Sequence, residues 1–187
     1  MLITQRQQIT LGDFLDLPEG KPAHEYLDGV VTQKVSPKGP HSRLQSKLCE
    51  LFNSAAEPRK LGIAFPELRT VYSGSAPVPD VSYYRWDRIP RDQNGDIADD
   101  FLEPPDIAIE ILSPGQSRTT QLDRCRWYVE HGARVALLVD PGRRAIHEAR
   151  AGGEYRILRG DDVVDLSDVI PDVQFTVREL FDLLNPR

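Results

Sequence analysis

Two acids stand where carboxylates are costly, inside runs of strand-forming apolar residues. Asp80 lies in Val78-Pro79-Asp80-Val81-Ser82-Tyr83-Tyr84, and Glu110 in Pro105-Asp106-Ile107-Ala108-Ile109-Glu110-Ile111-Leu112-Ser113-Pro114. A carboxylate removed from water destabilises the fold unless a cation or a donor meets it. Side chains alternate along a strand, so Asp106, Ala108, Glu110 and Leu112 share one face, and Ile107, Ile109 and Ile111 the other. Two strands that each deliver an acid to one place build a site for a hard divalent cation, because Mg²⁺ and its relatives prefer carboxylate and water oxygens. The plainer alternatives are an arginine partner for Glu110 and a turn role for Asp80 after Pro79.

The elements that must carry these acids have local signatures. Thr10-Leu11-Gly12-Asp13 predicts a short capped helix, closed by Pro18 and Gly20. Asp28-Gly29, between Glu25-Tyr26-Leu27 and Val30 to Val35, predicts a tight β-hairpin. After a break at Pro37 to Pro40, Leu44, Leu48, Leu51, Phe52 and Ala55 recur at helical spacing, which makes 42–56 an amphipathic helix with its stripe in the core. Strands are expected at 62–72 and 78–84, followed by an exposed excursion from Arg85 to Pro104 around Asn94-Gly95. The acidic strand 106–112 comes next, and Ser113-Pro114 is the expected entry to a helix that stops at Gly132. Val135 to Val139, Arg144 to Ala149 and Glu154 to Leu158 read as further strands, and Thr176-Val177-Arg178-Glu179 caps a last helix through Leu184. This order predicts a mixed α/β sandwich in a single domain over 1–187.

Bulk properties narrow the classes. With 187 residues and 40% hydrophobic content the chain can bury a core. No run approaches the roughly 20 apolar residues that cross a bilayer, and Met1 to Arg6 lacks a signal-peptide layout, so a cytoplasmic protein is expected. Cys49 and Cys125 are too far apart in sequence for a paired zinc motif. A net charge of -6 argues against coating nucleic acid by bulk electrostatics, but a local basic surface suffices for an enzyme. The lysines are Lys21, Lys34, Lys38, Lys47 and Lys60, and every later cation is an arginine. His41, alone at a helix start, reads as a cap or a phosphate contact, and Ser113 as a cap, since it has no neighbouring histidine and no glycine elbow.

Taken together, Glu25-Tyr26-Leu27-Asp28-Gly29, His41, Pro79-Asp80, Pro104-Pro105-Asp106 with Glu110-Ile111-Leu112-Ser113-Pro114, Tyr128, Gly132 and Val139-Asp140-Pro141 resemble the Uma2-type proteins. That bacterial group is placed among the PD-(D/E)XK nucleases. The resemblance implies a restriction-endonuclease-like α/β core, with a mixed central sheet flanked by helices, an N-terminal hairpin and a C-terminal helix. It also implies that Asp80 and Glu110 ligate Mg²⁺, with Mn²⁺ as a substitute, that Glu25 assists, and that Asp106 and His41 lie in a second shell or touch phosphate. The superfamily lysine, two residues after the strand acid, is Leu112 here; in Uma2-type proteins it looks displaced to the next helix, at the position of Arg124. Arginine stays protonated, so it can clamp phosphate but cannot act as a base.

The expected activity is therefore metal-dependent hydrolysis of DNA phosphodiester bonds by a homodimer. The alternative is a catalytically silent, nuclease-like homodimer that binds nucleic acid or a protein partner.

Overall fold

The computed structural model describes residues 9–153 and 155–185; the expected strand start at Glu154 and the segment Met1 to Arg6 lie outside them. A six-stranded sheet runs β3 (Gly62–Pro66), β4 (Val81–Arg85), β5 (Ile107–Ile111), β6 (Val135–Asp140), β7 (Ala145–Arg150) and β8 (Arg156–Arg159), in that spatial order. Every pairing is antiparallel except β5 with β6, which are parallel and joined through a helix, α3 (Arg118–Glu130). A parallel pair requires such a crossover. Ahead of the sheet come α1 (Leu11–Leu15), the hairpin β1 (His24–Leu27) and β2 (Val30–Gln33), and α2 (Gly39–Ala56). A second small ribbon, β9 (Val163–Asp165) with β10 (Gln174–Thr176), leads into α4 (Val177–Asp182).

The sheet is buried on both faces. Ile107, Ile109 and Ile111 of β5 pack with Leu44, Leu48 and Phe52 of α2 and Leu180 and Phe181 of α4. Each such side chain, fully buried, contributes roughly 1.5–3 kcal/mol. On the opposite face Ala108, Ala136 and Leu138 meet Cys125, Trp127 and Tyr128 of α3. Glu110 belongs to this second face, where the alanines leave room for the helix.

Local boundaries depart from expectation for identifiable reasons. α2 begins at Gly39, before Ser42, because Pro40 in its first turn loses no hydrogen bond. The strand expected over 62–72 stops at Pro66, and β4 starts at Val81, so Asp80 sits just outside the ladder. Ser113-Pro114 does not open α3. Gly115 at φ +89° and a Gln116 N–H to Ser113 carbonyl bond of 3.1 Å make a turn there, and Ser117 caps the helix by accepting from Thr120 N–H at 3.3 Å. β9 and β10 have no sequence signature, being 3 residues each. Among the described residues no helix is long and apolar enough to cross a membrane.

Candidate active site

Asp80 and Glu110 meet because of sheet register. β4 pairs with β5 so that Val81 faces Ile109, which brings Asp80, the residue just before β4, beside the end of β5 that carries Glu110. Asp80 is then tied to the partner strand, its Oδ2 accepting from Ile111 N–H at 2.7 Å. Both acids are almost completely buried, at 2% and 3% exposure.

The hairpin adds a third acid and a cation. Tyr26 exchanges backbone hydrogen bonds with Ala76, which docks β1 beside the chain leading to Asp80. Glu25, also buried, accepts from Val78 N–H at 2.8 Å through Oε1 and from Arg124 Nη1 at 2.6 Å through Oε2. Lys34 follows β2 and points inward: its Nζ lies 2.5 Å from Asp80 Oδ1, 2.6 Å from the Val78 carbonyl and 4.0 Å from Glu110 Oε2.

Two helices close the cluster. From α3, Tyr128 donates its hydroxyl to Glu110 Oε1 at 2.6 Å, and Arg124 Nη1 stands 3.5 Å from the same oxygen. From α2, His41 is hydrogen-bonded through Nδ1 to the Oγ of Ser113, in the turn after β5, at 3.0 Å, while His41 Nε2 is 3.4 Å from Asp80 Oδ1. Gln45 Nε2 donates to the Asp80 carbonyl at 2.8 Å. His41 and Ser113 also line a cavity of about 470 Å³, with Lys38, Gln116, Asp140 and Arg143 among its other walls.

These surroundings drive the two central acids apart. Burial opposes the charge of Asp80, but the Lys34 ammonium, with His41 adding to it, outweighs burial and holds the carboxyl at about 2. For Glu110 burial prevails over the pull of Lys34 and Arg124, and Asp80 and Glu25 push in the same direction as burial, to about 7. Lys34 is buried too, yet Glu110, Asp80 and Glu25 raise its pKa and keep it an ammonium. Tyr128 is pushed upward by burial and by Glu110, so it remains a hydrogen-bond donor.

Of the residues singled out from sequence, the fold brings Asp80, Glu110, Glu25, Arg124 and His41 together. It does not bring Asp106. That carboxylate lies four residues along the strand from Glu110, roughly 13 Å away at strand rise. It accepts from Arg85 N–H at 2.9 Å and Arg85 Nε at 3.1 Å, and pairs with Arg88 Nη1 at 2.9 Å. The expectation for Asp106 is corrected accordingly: it is a structural acid for two arginines at the other end of the strand.

Lys34 and Tyr128 join the cluster without having been assigned to it from sequence. A signal for Lys34 did exist. The Asp28-Gly29 turn sets Glu25 opposite Thr32, and alternation then places Thr32 and Lys34 on the face of Glu25.

The donor set suits a hard cation. Asp80 Oδ1 and Glu110 Oε2 flank one positive group, the Lys34 ammonium, while their other oxygens are held by Ile111 N–H and Tyr128 OH. Glu25 has both oxygens committed to Val78 and Arg124. Among the described residues no group of three or more His, Cys, Asp or Glu side chains is arranged to hold a metal ion. A cation at the acid pair would complete its shell with water and substrate oxygens, as Mg²⁺ commonly does.

Comparison with known proteins gives three results. The Uma2 family model, "Putative restriction endonuclease", matches residues 11–178. The crystal structure of a "putative nuclease belonging to DUF820" from Anabaena variabilis superposes with a TM-score of 0.90 at 38% identity, over 94% of this chain and 99% of that one. No curated protein matches the chain.

Proposed function

We propose, from the premise that this chain belongs to the Uma2 family, that it is a divalent-metal-dependent endonuclease hydrolysing DNA phosphodiester bonds. The observation that carries this reading is the convergence of Asp80 Oδ1, from the residue just before β4, and Glu110 Oε2, from β5, on one buried cation. Asp80 and Glu110 would hold a Mg²⁺ or Mn²⁺ ion. When bound, such an ion polarises a phosphoryl oxygen and lowers the pKa of a coordinated water.

The chain's own groups prepare that chemistry. Ile111 N–H and Tyr128 OH fix the remaining oxygens of the acid pair, so the two carboxylates need no reorganisation. Arg124, held by Glu25, supplies permanent positive charge beside Glu110. His41, hydrogen-bonded to Ser113, stands between Asp80 and the cavity lined by Lys38 and Arg143, through which a phosphate backbone would approach.

The test is cleavage of supercoiled plasmid with MgCl₂ or MnCl₂. Wild type is expected to nick and linearise DNA, chelator to stop it, and Asp80→Ala to be inactive while still folded by circular dichroism. Metal-independent cleavage, or an Asp80→Ala variant as active as wild type, would overturn the assignment.

A further inference from the structure

Lys34 is an unusual tenant for this place. Its side chain is only 9% exposed, and its ammonium is engaged at hydrogen-bond distance by Asp80 Oδ1 and by the Val78 carbonyl, with Glu110 Oε2 4.0 Å away. Arg124, the other cation of the cluster, is held differently. Its Nη1 donates to Glu25 Oε2 at 2.6 Å, and Glu25 is itself fixed by a backbone N–H of Val78. A guanidinium is planar and carries its donors in a rigid fork, whereas an ammonium is a compact point charge on a flexible four-carbon stem. The way out is short as well, because residues 35–40, which follow Lys34 directly, are exposed.

The Lys34 ammonium also sits where the acid pair would receive any other cation. Two buried carboxylates facing each other repel, and the Lys34 charge offsets that repulsion in the free protein. A divalent ion between the same oxygens would do so more strongly, and would itself repel an ammonium left in place.

We infer that Lys34 is a positioning residue, the resident counter-ion of the Asp80 and Glu110 pair: it keeps the two carboxylates converged while no metal is bound, and gives up its place to a divalent cation. This rests on the metal-dependent reading above. It assigns the two cations different tasks, with Arg124 a fixed part of the wall and Lys34 a displaceable one.

Titration calorimetry with MnCl₂ on the full chain tests this by comparing wild type with Lys34→Met. With no ammonium to displace, the variant is expected to bind Mn²⁺ about tenfold more tightly. Equal or weaker binding by the variant, with wild type still binding, overturns the inference and leaves the metal-dependent reading standing. Absence of Mn²⁺ binding by both proteins removes both.

Lys34→Met leaves buried acids without their counter-ion and can fail to fold, so a second measurement uses wild type alone. Acylation of Lys34 by acetic anhydride, read by peptide mass spectrometry, is expected to be slow in chelator and about tenfold faster in saturating Mn²⁺, as the amine turns outward. Unchanged reactivity, in protein that calorimetry shows to bind Mn²⁺, overturns the inference.

Discussion

Strand β5 has an acid at each end, Asp106 just before it and Glu110 within it, on the same face and both buried. Their surroundings differ. Asp106 meets a backbone N–H and two arginines, all within 3.1 Å, and the Arg85 side chain is 41% exposed. Glu110 has one short hydrogen bond, from a neutral phenol, and its two cations stand off at 3.5 and 4.0 Å. The first acid is saturated by partners that reach it from the rim. The second has fewer close donors, and burial, which its more distant cations do not offset, raises its pKa to about 7. Position on a strand therefore does not by itself tell these two acids apart; the count and closeness of their donors differ.

The largest effect should come from the unsaturated end. Glu110→Gln keeps shape and burial but removes a charge from the proposed ion site, and plasmid cleavage should fall by about a thousandfold, on the order of 4 kcal/mol. Retained activity would erase the distinction between the two acids.

Next comes the arginine that stands beside Glu110. Arg124→Met leaves Glu25 and Glu110 without a neighbour that both now share, and breaking a buried pair typically costs about 3–5 kcal/mol, readable by urea denaturation.

A third measurement separates the acids by pH. The folded-state pKa of Glu110 lies at about 7, above its ordinary 4.5, so between those values the native state holds a proton that the unfolded chain releases. Stability of the metal-free protein from this group should therefore be fully present below about pH 4.5 and fall as pH rises through 7, by about 3 kcal/mol. In Glu110→Gln that slope should vanish. Asp80 acts in the opposite sense: its carboxyl is held at about 2, below the ordinary 3.8, so its contribution is present above pH 3.8 and lost as pH falls through 2.

The smallest effect is expected at the saturated end. Asp106→Asn should cost about 2 kcal/mol through weakened bonds to Arg85 and Arg88, while cleavage per folded molecule stays at the wild-type level. A large loss of cleavage by folded Asp106→Asn would break the comparison from the other side.

Much of the frame was legible because it is set by near neighbours in the chain. The Asp28-Gly29 hairpin, the stripe of Leu44, Leu48 and Phe52, the alternation of β5 and the Thr176 and Glu179 capping box all appear as expected. The start of α3 was missed because Gly115 takes a left-handed turn that Ser113-Pro114 conceals. Leu51, counted in the core stripe, is 37% exposed, since the stripe drifts off the face that meets the sheet.

By itself the sequence determined that Asp80 and Glu110 sit in apolar, strand-forming runs, so each needs a partner, because patterning and burial cost depend on local residue types. Which partners they have was decided by tertiary structure alone. Lys34 reaches Asp80 across 46 positions and Arg124 reaches Glu25 across 99, and Asp106 is withheld from the site by arginines 18 and 21 positions away. A Coulomb interaction is governed by distance in space and by local exclusion of water, and both are set only when hairpin, sheet and helices close on one another.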